Sequence, residues 1–89
     1  MRWHCAAEAL TWRELEGELV VRSARTGSTH LLEPFAGGVL RALMEAEAGL
    51  SAADIVARVG HGDADKCLAA IEAALAEFQQ LGLAEREVP

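Results

Sequence analysis

The stretch THLLEPFAGGVL, residues 29–40, limits what this chain can fold into more than any other, because it joins a strand to a helix through a proline. Thr29, His30, Leu31 and Leu32 form a β-leaning run, and the residue ahead of a proline is pushed toward extended geometry, so the strand ends at Glu33. Pro34 has no amide hydrogen, yet its restricted φ suits the first helical position, where that hydrogen would lack a partner. A helix therefore starts at Pro34, with Phe35, Val39, Leu40, Leu43 and Met44 recurring along one face. Gly37 and Gly38 lie inside it at roughly 1 kcal/mol each relative to alanine. Packing that carries the helix regardless is preferred here to a close approach by another backbone. Gly49 is expected to end the helix.

Upstream, residues 10–15 alternate, with Leu10 and Trp12 on one face and Thr11 and Arg13 on the other, the period of a half-buried strand. Glu16-Gly17-Glu18 is a polar break centred on a glycine, and residues 19–23 form a second, β-branched run. The two make a hairpin. Arg25-Thr26-Gly27-Ser28 repeats the device and returns the chain to Thr29, giving three strands in an antiparallel meander. Trp3 is the one large apolar group ahead of Leu10, and its expected role is to pin the N-terminal end to the core.

Downstream, Ser51 opens a second helix as N-cap, with Asp54 in the position of a capping-box acid. Ile55, Val56 and Val59 are expected to face inward, and Gly60 closes this short helix. His61, between Gly60 and Gly62, reads as a solvated loop residue. The third helix runs from about Ala64 to Leu81 and stops at Gly82. Leu68, Ile71, Leu75 and Phe78 form its core stripe. One flank of that stripe is polar, with Glu72 and Gln79. The other carries Cys67, Ala70, Ala74 and Leu81, so the apolar surface widens to one side, where small side chains admit a neighbouring helix or floor a shallow groove. Leu83 and Val88 suggest a short extended tail.

Three strands followed by three helices is an α+β order, and the short helix, glycine turn and longer helix have a winged helix-turn-helix-like outline. The 89 residues make a single domain, 1–89, with a small core, since a chain of this size hides about 60 to 65% of its unfolded surface. A deep catalytic pocket is not expected. The net charge of −6 argues against nucleic acid, whose phosphates are met by Lys and Arg. A recognition helix needs cations, but from Asp63 onward six acids stand against Lys66 and Arg86. No apolar run approaches the ~20 residues of a membrane span and no signal-peptide pattern is present, so no membrane partner and a cytoplasmic location are expected.

Cys5 and Cys67 form no CxxC pair, and combining them with His4 and His61 matches no zinc spacing. No metal or cofactor is expected. No phosphate-binding loop, zinc-protease motif or nucleophile elbow occurs, and His30 has no acid or serine placed to act with it. No catalytic residue is assigned.

What remains is binding. Thr29, His30, Leu31 and Leu32 end the meander as an edge whose backbone groups lack a partner, guarded only at its end by Glu33 and Pro34. Leu31 and Leu32 must point to opposite faces. Such an edge accepts a partner strand, main-chain bonds giving affinity and adjoining pockets selectivity. Two alternatives stay open: both leucines lie under helices, or the N-terminal segment closes the edge. The same edge would also allow a homodimer by pairing with a second copy.

Taken in order, Trp3, Leu10-Thr11-Trp12, the Gly17 turn, Leu19-Val20-Val21, Gly27, Thr29-His30-Leu31-Leu32, Pro34, Ala36, Val39, Leu40, Phe78, Leu81-Gly82-Leu83 and Glu85 form a pattern. It resembles the PqqD-like peptide chaperones, and within them the subgroup of the HPr-rel-A system, associated with HPr kinase-related proteins. The resemblance spans nearly the whole chain. It departs at Glu33, where the family more often has Asn, Asp or Ser, and at Gly37-Gly38. It implies the architecture of a precursor-peptide recognition element, in which a leader peptide adds as a strand beside the third strand and lies in the groove toward the third helix. Carried over by position, the peptide-binding edge is Thr29, His30, Leu31 and Leu32. The flank of the third helix nominates Cys67, Ala70 and Ala74 as groove wall, with Lys66 meeting an acidic peptide group. The expected function is a non-catalytic chaperone that presents a precursor or leader peptide to a modifying enzyme. The alternative is an adaptor subunit docking on an HPr kinase-related protein.

Overall fold

The structure, a computed structural model, describes residues 2–5, 7–46, 48–60 and 62–87. The expectations for His61 and Val88 lie outside the described residues. A three-stranded antiparallel sheet is built from β2 (Leu10–Leu15), β3 (Glu18–Ser23) and β4 (Thr29–Leu32), in the order β2-β3-β4. Its first turn is Glu16-Gly17, with φ of 51° and 86°, the two positive values that a tight two-residue hairpin requires. Three helices follow: α1 (Pro34–Glu45), α2 (Ala52–Val59) and α3 (Ala64–Leu81). The α+β order read from the sequence is the order observed.

A second, smaller sheet was not foreseen. β1 (Arg2–His4) lies between β5 (Leu50–Ser51) and β6 (Glu85–Arg86), antiparallel to both. Trp3 pairs with Leu50 on one side and Arg86 on the other, and its ring is buried, so it does pin the N-terminal end. This sheet also corrects the end of α1. The helix stops at Glu45 instead of running on to Gly49, because the chain must turn back to lay Leu50 beside Trp3. Gly49 (φ 84°) makes that turn, and a Cβ there would stand 2.9 Å from the Trp3 carbonyl oxygen. The Arg2 guanidinium donates to the Gly49 carbonyl at 3.0 Å.

Cross-strand partners share a face, so Leu10, Trp12, Leu19, Val21, His30 and Leu32 project to the same side. Leu19, Val21 and Leu32 are buried there under Val39, Leu40 and Leu43 of α1 and Ile71, Leu75 and Phe78 of α3, with Ile55 of α2 completing the core. Trp12 has the inward facing that the alternation gives, but it is 47% exposed because β2 is an edge that the helices do not fully cover. Arg41 from α1 lies 5.1 Å from the Trp12 ring and is held at 2.6 Å by Glu14. Leu68, Val56 and Val59, expected inside, are half-buried.

The capping signals are observed as read. Ser51 and Asp54 form a reciprocal capping box, each side chain accepting the other's backbone N–H at 3.1 Å. Gly82 ends α3 in the left-handed conformation. Gly37 is the exception to the packing reading, since an added Cβ would come 3.0 Å from Leu19 Cβ, so helix and strand need its absence. Gly38 faces open space. Among the described residues, no helix is long and apolar enough to cross a membrane.

Candidate functional site

β4 is the free end of the meander. β1, which could have covered it, pairs instead with β5 and β6, and among the described residues nothing pairs with the outer side of β4. Its side chains divide as an edge strand requires. Leu32 is buried, His30 is half-buried on the same inner face, and Leu31 on the outer face is 62% exposed.

The backbone register shows which groups are free. Ser23 N–H donates to the Ser28 carbonyl at 2.9 Å, and residues 23 and 28 lie in register with the Arg22–Thr29 to Leu19–Leu32 ladder. In an antiparallel ladder, bonded and non-bonded pairs alternate. The bonded pairs are therefore Val21–His30 and Leu19–Leu32. Thr29 and Leu31 turn their N–H and C=O groups outward. The same alternation, set on the other side by Ala24 N–H to the Ala9 carbonyl at 2.8 Å, leaves Leu10, Trp12 and Glu14 facing out from β2. The two edges differ in protection, because β2 carries Arg13 and Glu14 within the strand and β4 carries no charge at all.

At its C-terminal end β4 leads into an apolar depression. Glu33 is the N-cap of α1, its two carboxylate oxygens accepting from Phe35 N–H at 3.1 Å and Ala36 N–H at 2.9 Å. Its longer side chain thus does the work that a shorter capping residue does elsewhere. Phe35 projects beyond this cap and forms one wall. Val59 and Cys67 form the rest of a hollow of about 360 Å³, with Lys66 and Asp63 at its rim. A second hollow of about 330 Å³ shares Phe35 and Val59 and extends over Pro34 and Gly38.

α3 lies alongside β4 in the opposite direction. Its first turn meets Phe35 at the end of β4, whereas its C-cap Gly82 approaches Thr26 in the turn before β4, and Arg25 in that turn pairs with Glu85 at 2.9 Å. α3 packs chiefly on α2 and α1. Of the nominated flank residues, Lys66 and Cys67 line the hollow, Ala70 is exposed, and Ala74 is buried in the core.

Phe35, Val59, Pro34 and Gly38 line the hollows, although the sequence placed them in the fold and not in the site. The spacing held a usable signal: Phe35 and Gly38 are three apart, neighbours on one helix face, and a glycine beside an aromatic leaves a gap. Cys5 does not line the hollows, and burial, with Glu8 second, pushes its thiol up to about 11, far from a reactive thiolate. His30 Nε2 is buried without a hydrogen-bond partner. Among the described residues, no three His, Cys, Asp or Glu side chains cluster to hold a metal. The arrangement offers main-chain bonding groups, an apolar hollow and one rim cation.

No family model matches the chain, and no curated protein matches it. Two solved structures share its fold. A structure of TbiB1 in complex with the TbiA(beta) leader peptide superposes with a TM-score of 0.78 at 16% identity, covering 97% of this chain and 99% of that one. A lasso peptide synthetase B1 complexed with the leader peptide gives a TM-score of 0.72 at 15% identity, over 97% of this chain and 100% of that one. At these identities the likeness is one of fold.

Proposed function

We propose that this chain is a non-catalytic peptide-binding module, which captures a precursor or leader peptide as an added strand on β4 and presents it to a modifying enzyme. The observation that carries this reading is the outward pair of backbone positions, Thr29 and Leu31, on an uncharged edge that runs directly into an apolar hollow. Strand addition satisfies those groups, and the hollow selects an apolar side chain beyond the strand. Two proteins of the same fold, solved with leader peptides bound, support the reading. Lys66 at the rim, with Cys67 beside Phe35, is assigned to the end of the peptide that leaves the strand, and Ala70 to the open flank of α3. Affiliation with the HPr-rel-A system, and docking on an HPr kinase-related protein, rest on the sequence pattern alone.

The test is an amide titration with short peptides encoded beside the gene. Strand addition gives new bonds to Thr29 and Leu31 N–H, so these two shift furthest and gain exchange protection. His30 and Leu32 N–H, already bonded to β3, change little. Shifts confined to loops, or equal shifts along the strand, would overturn the site.

A further inference from the structure

The outer face of the meander carries a pattern that a bound peptide would meet. Side chains of cross-strand partners lie on one face in rows across the sheet. One outer row is Arg13, Val20, Leu31, and the next is Thr11, Arg22, Thr29. The first ends at β4 with an exposed leucine beside a half-buried valine. The second ends with a short threonine, and behind it stands Arg22, which takes part in neither ion pair of the described residues. Arg22 and Thr29 border the same open depression.

We infer that the peptide is chosen on this outer face by a pair of residues two apart, an apolar side chain followed by an acidic one. The inference rests on strand addition to β4. A strand continuing the meander is antiparallel, and it bonds to the outward groups of Leu31 and then Thr29. The peptide residue opposite Leu31 shares its face and extends the Val20–Leu31 row, where an apolar side chain covers both. Two residues later, the peptide residue opposite Thr29 extends the row of Arg22. Adjacent strands lie about 4.8 Å apart, so Arg22 stands about 10 Å from the added backbone with only Thr29 between them. A guanidinium and a carboxylate together span that gap over a threonine. The residue between the two faces inward, opposite His30, toward the hollow and α3. The outer face thus reads an apolar residue and then a charge, while the inner face reads apolar volume.

The experiment is selection from a random dodecapeptide mRNA-display library on immobilised protein, run in parallel with Arg22→Glu, Arg22→Gln and Arg13→Glu. Wild type is expected to enrich peptides in which an apolar residue precedes Asp or Glu by two. Arg22→Glu keeps the apolar position and replaces the acid by Lys or Arg, Arg22→Gln loses the charge preference, and Arg13→Glu leaves it intact. For individual peptides, the exposed pair is worth roughly a two- to fivefold change in affinity. Enriched peptides with no acid at that spacing, or an acid preference that survives Arg22→Glu and Arg22→Gln, overturn this inference and leave strand addition standing. If wild type enriches no peptide, strand addition itself falls, and this inference with it.

Discussion

The Glu33 carboxylate accepts the backbone N–H of Phe35 at 3.1 Å, and through this contact one side chain sets the angle between the open edge and the aromatic wall of the hollow. The same carboxylate also takes Ala36 N–H. Removing it by Glu33→Ala frees two N-terminal amides and is expected to cost about 1 kcal/mol, the usual worth of an N-cap. Glu33→Asn retains a capping oxygen and should lose less. Urea denaturation of the three proteins checks the order. Peptide affinity should fall with Glu33→Ala by more than stability alone explains, since Phe35 loses its set position.

The adjacent glycines of α1 answer to different constraints, and alanine at each separates them. A Cβ on Gly37 meets Leu19 Cβ at 3.0 Å, with strand backbone just behind, so Gly37→Ala overpacks the helix against β3 and should cost about 1 to 3 kcal/mol. Nothing lies within 4 Å of a Cβ on Gly38, so Gly38→Ala should stabilise α1 by up to about 1 kcal/mol. Thermal melts of the two variants should move in opposite directions. Gly38→Leu goes further: its side chain fills the hollow over Pro34 and Phe35, leaving the fold intact while peptide affinity drops.

What was legible in the sequence was local. Pro34 after a β run, Ser51 three residues before Asp54, and Gly82 after an apolar stripe each act within one turn of helix, and each element boundary they mark is the one observed. The small sheet was illegible because its strands are two or three residues long and come from three distant segments, too short to show a period. The facing of Trp12 followed from alternation, but its exposure depends on how far the helices cover the β2 edge, where Arg41 lies across the ring. At the site, the edge was legible as a strand and its openness was not. Whether the N-terminal segment covers β4 is decided by Trp3 finding Leu50 and Arg86 instead. Phe35 belongs to the apolar face of α1 by spacing, yet it sits one residue past the proline, where the helix has not come under the core.

Acid should loosen the start of α2. The Ser51 backbone N–H and hydroxyl hold the Asp54 carboxyl below its ordinary 3.8. A carboxyl lowered in the folded state contributes stability above its unfolded value. That contribution fades as pH falls from about 4 through the lower folded value. Asp54→Asn removes this dependence, so the wild-type and variant stability curves should converge as pH drops from about 5 toward 2 and separate above it. Denaturant midpoints measured across that range decide the point. Curves that stay parallel would show that the capping box has no linkage to protonation.

Proline at two neighbouring positions of β4 distinguishes a free edge from a paired one. Leu31 turns its N–H outward, so Leu31→Pro removes no ladder bond, and proline is tolerated on an edge strand in just that setting. It should cost little stability and abolish peptide binding, because the added strand loses a donor and meets the pyrrolidine ring. His30 directs its N–H to Val21. His30→Pro strands a buried carbonyl on β3 and should cost about 1 to 3 kcal/mol before any peptide is added. Circular dichroism melts and peptide titrations on both variants give four numbers. The assignment requires that Leu31→Pro be stable and silent toward peptide. A Leu31→Pro protein that unfolds as readily as His30→Pro would mean that the outer side of β4 is already paired in solution, leaving the edge no room for a partner strand.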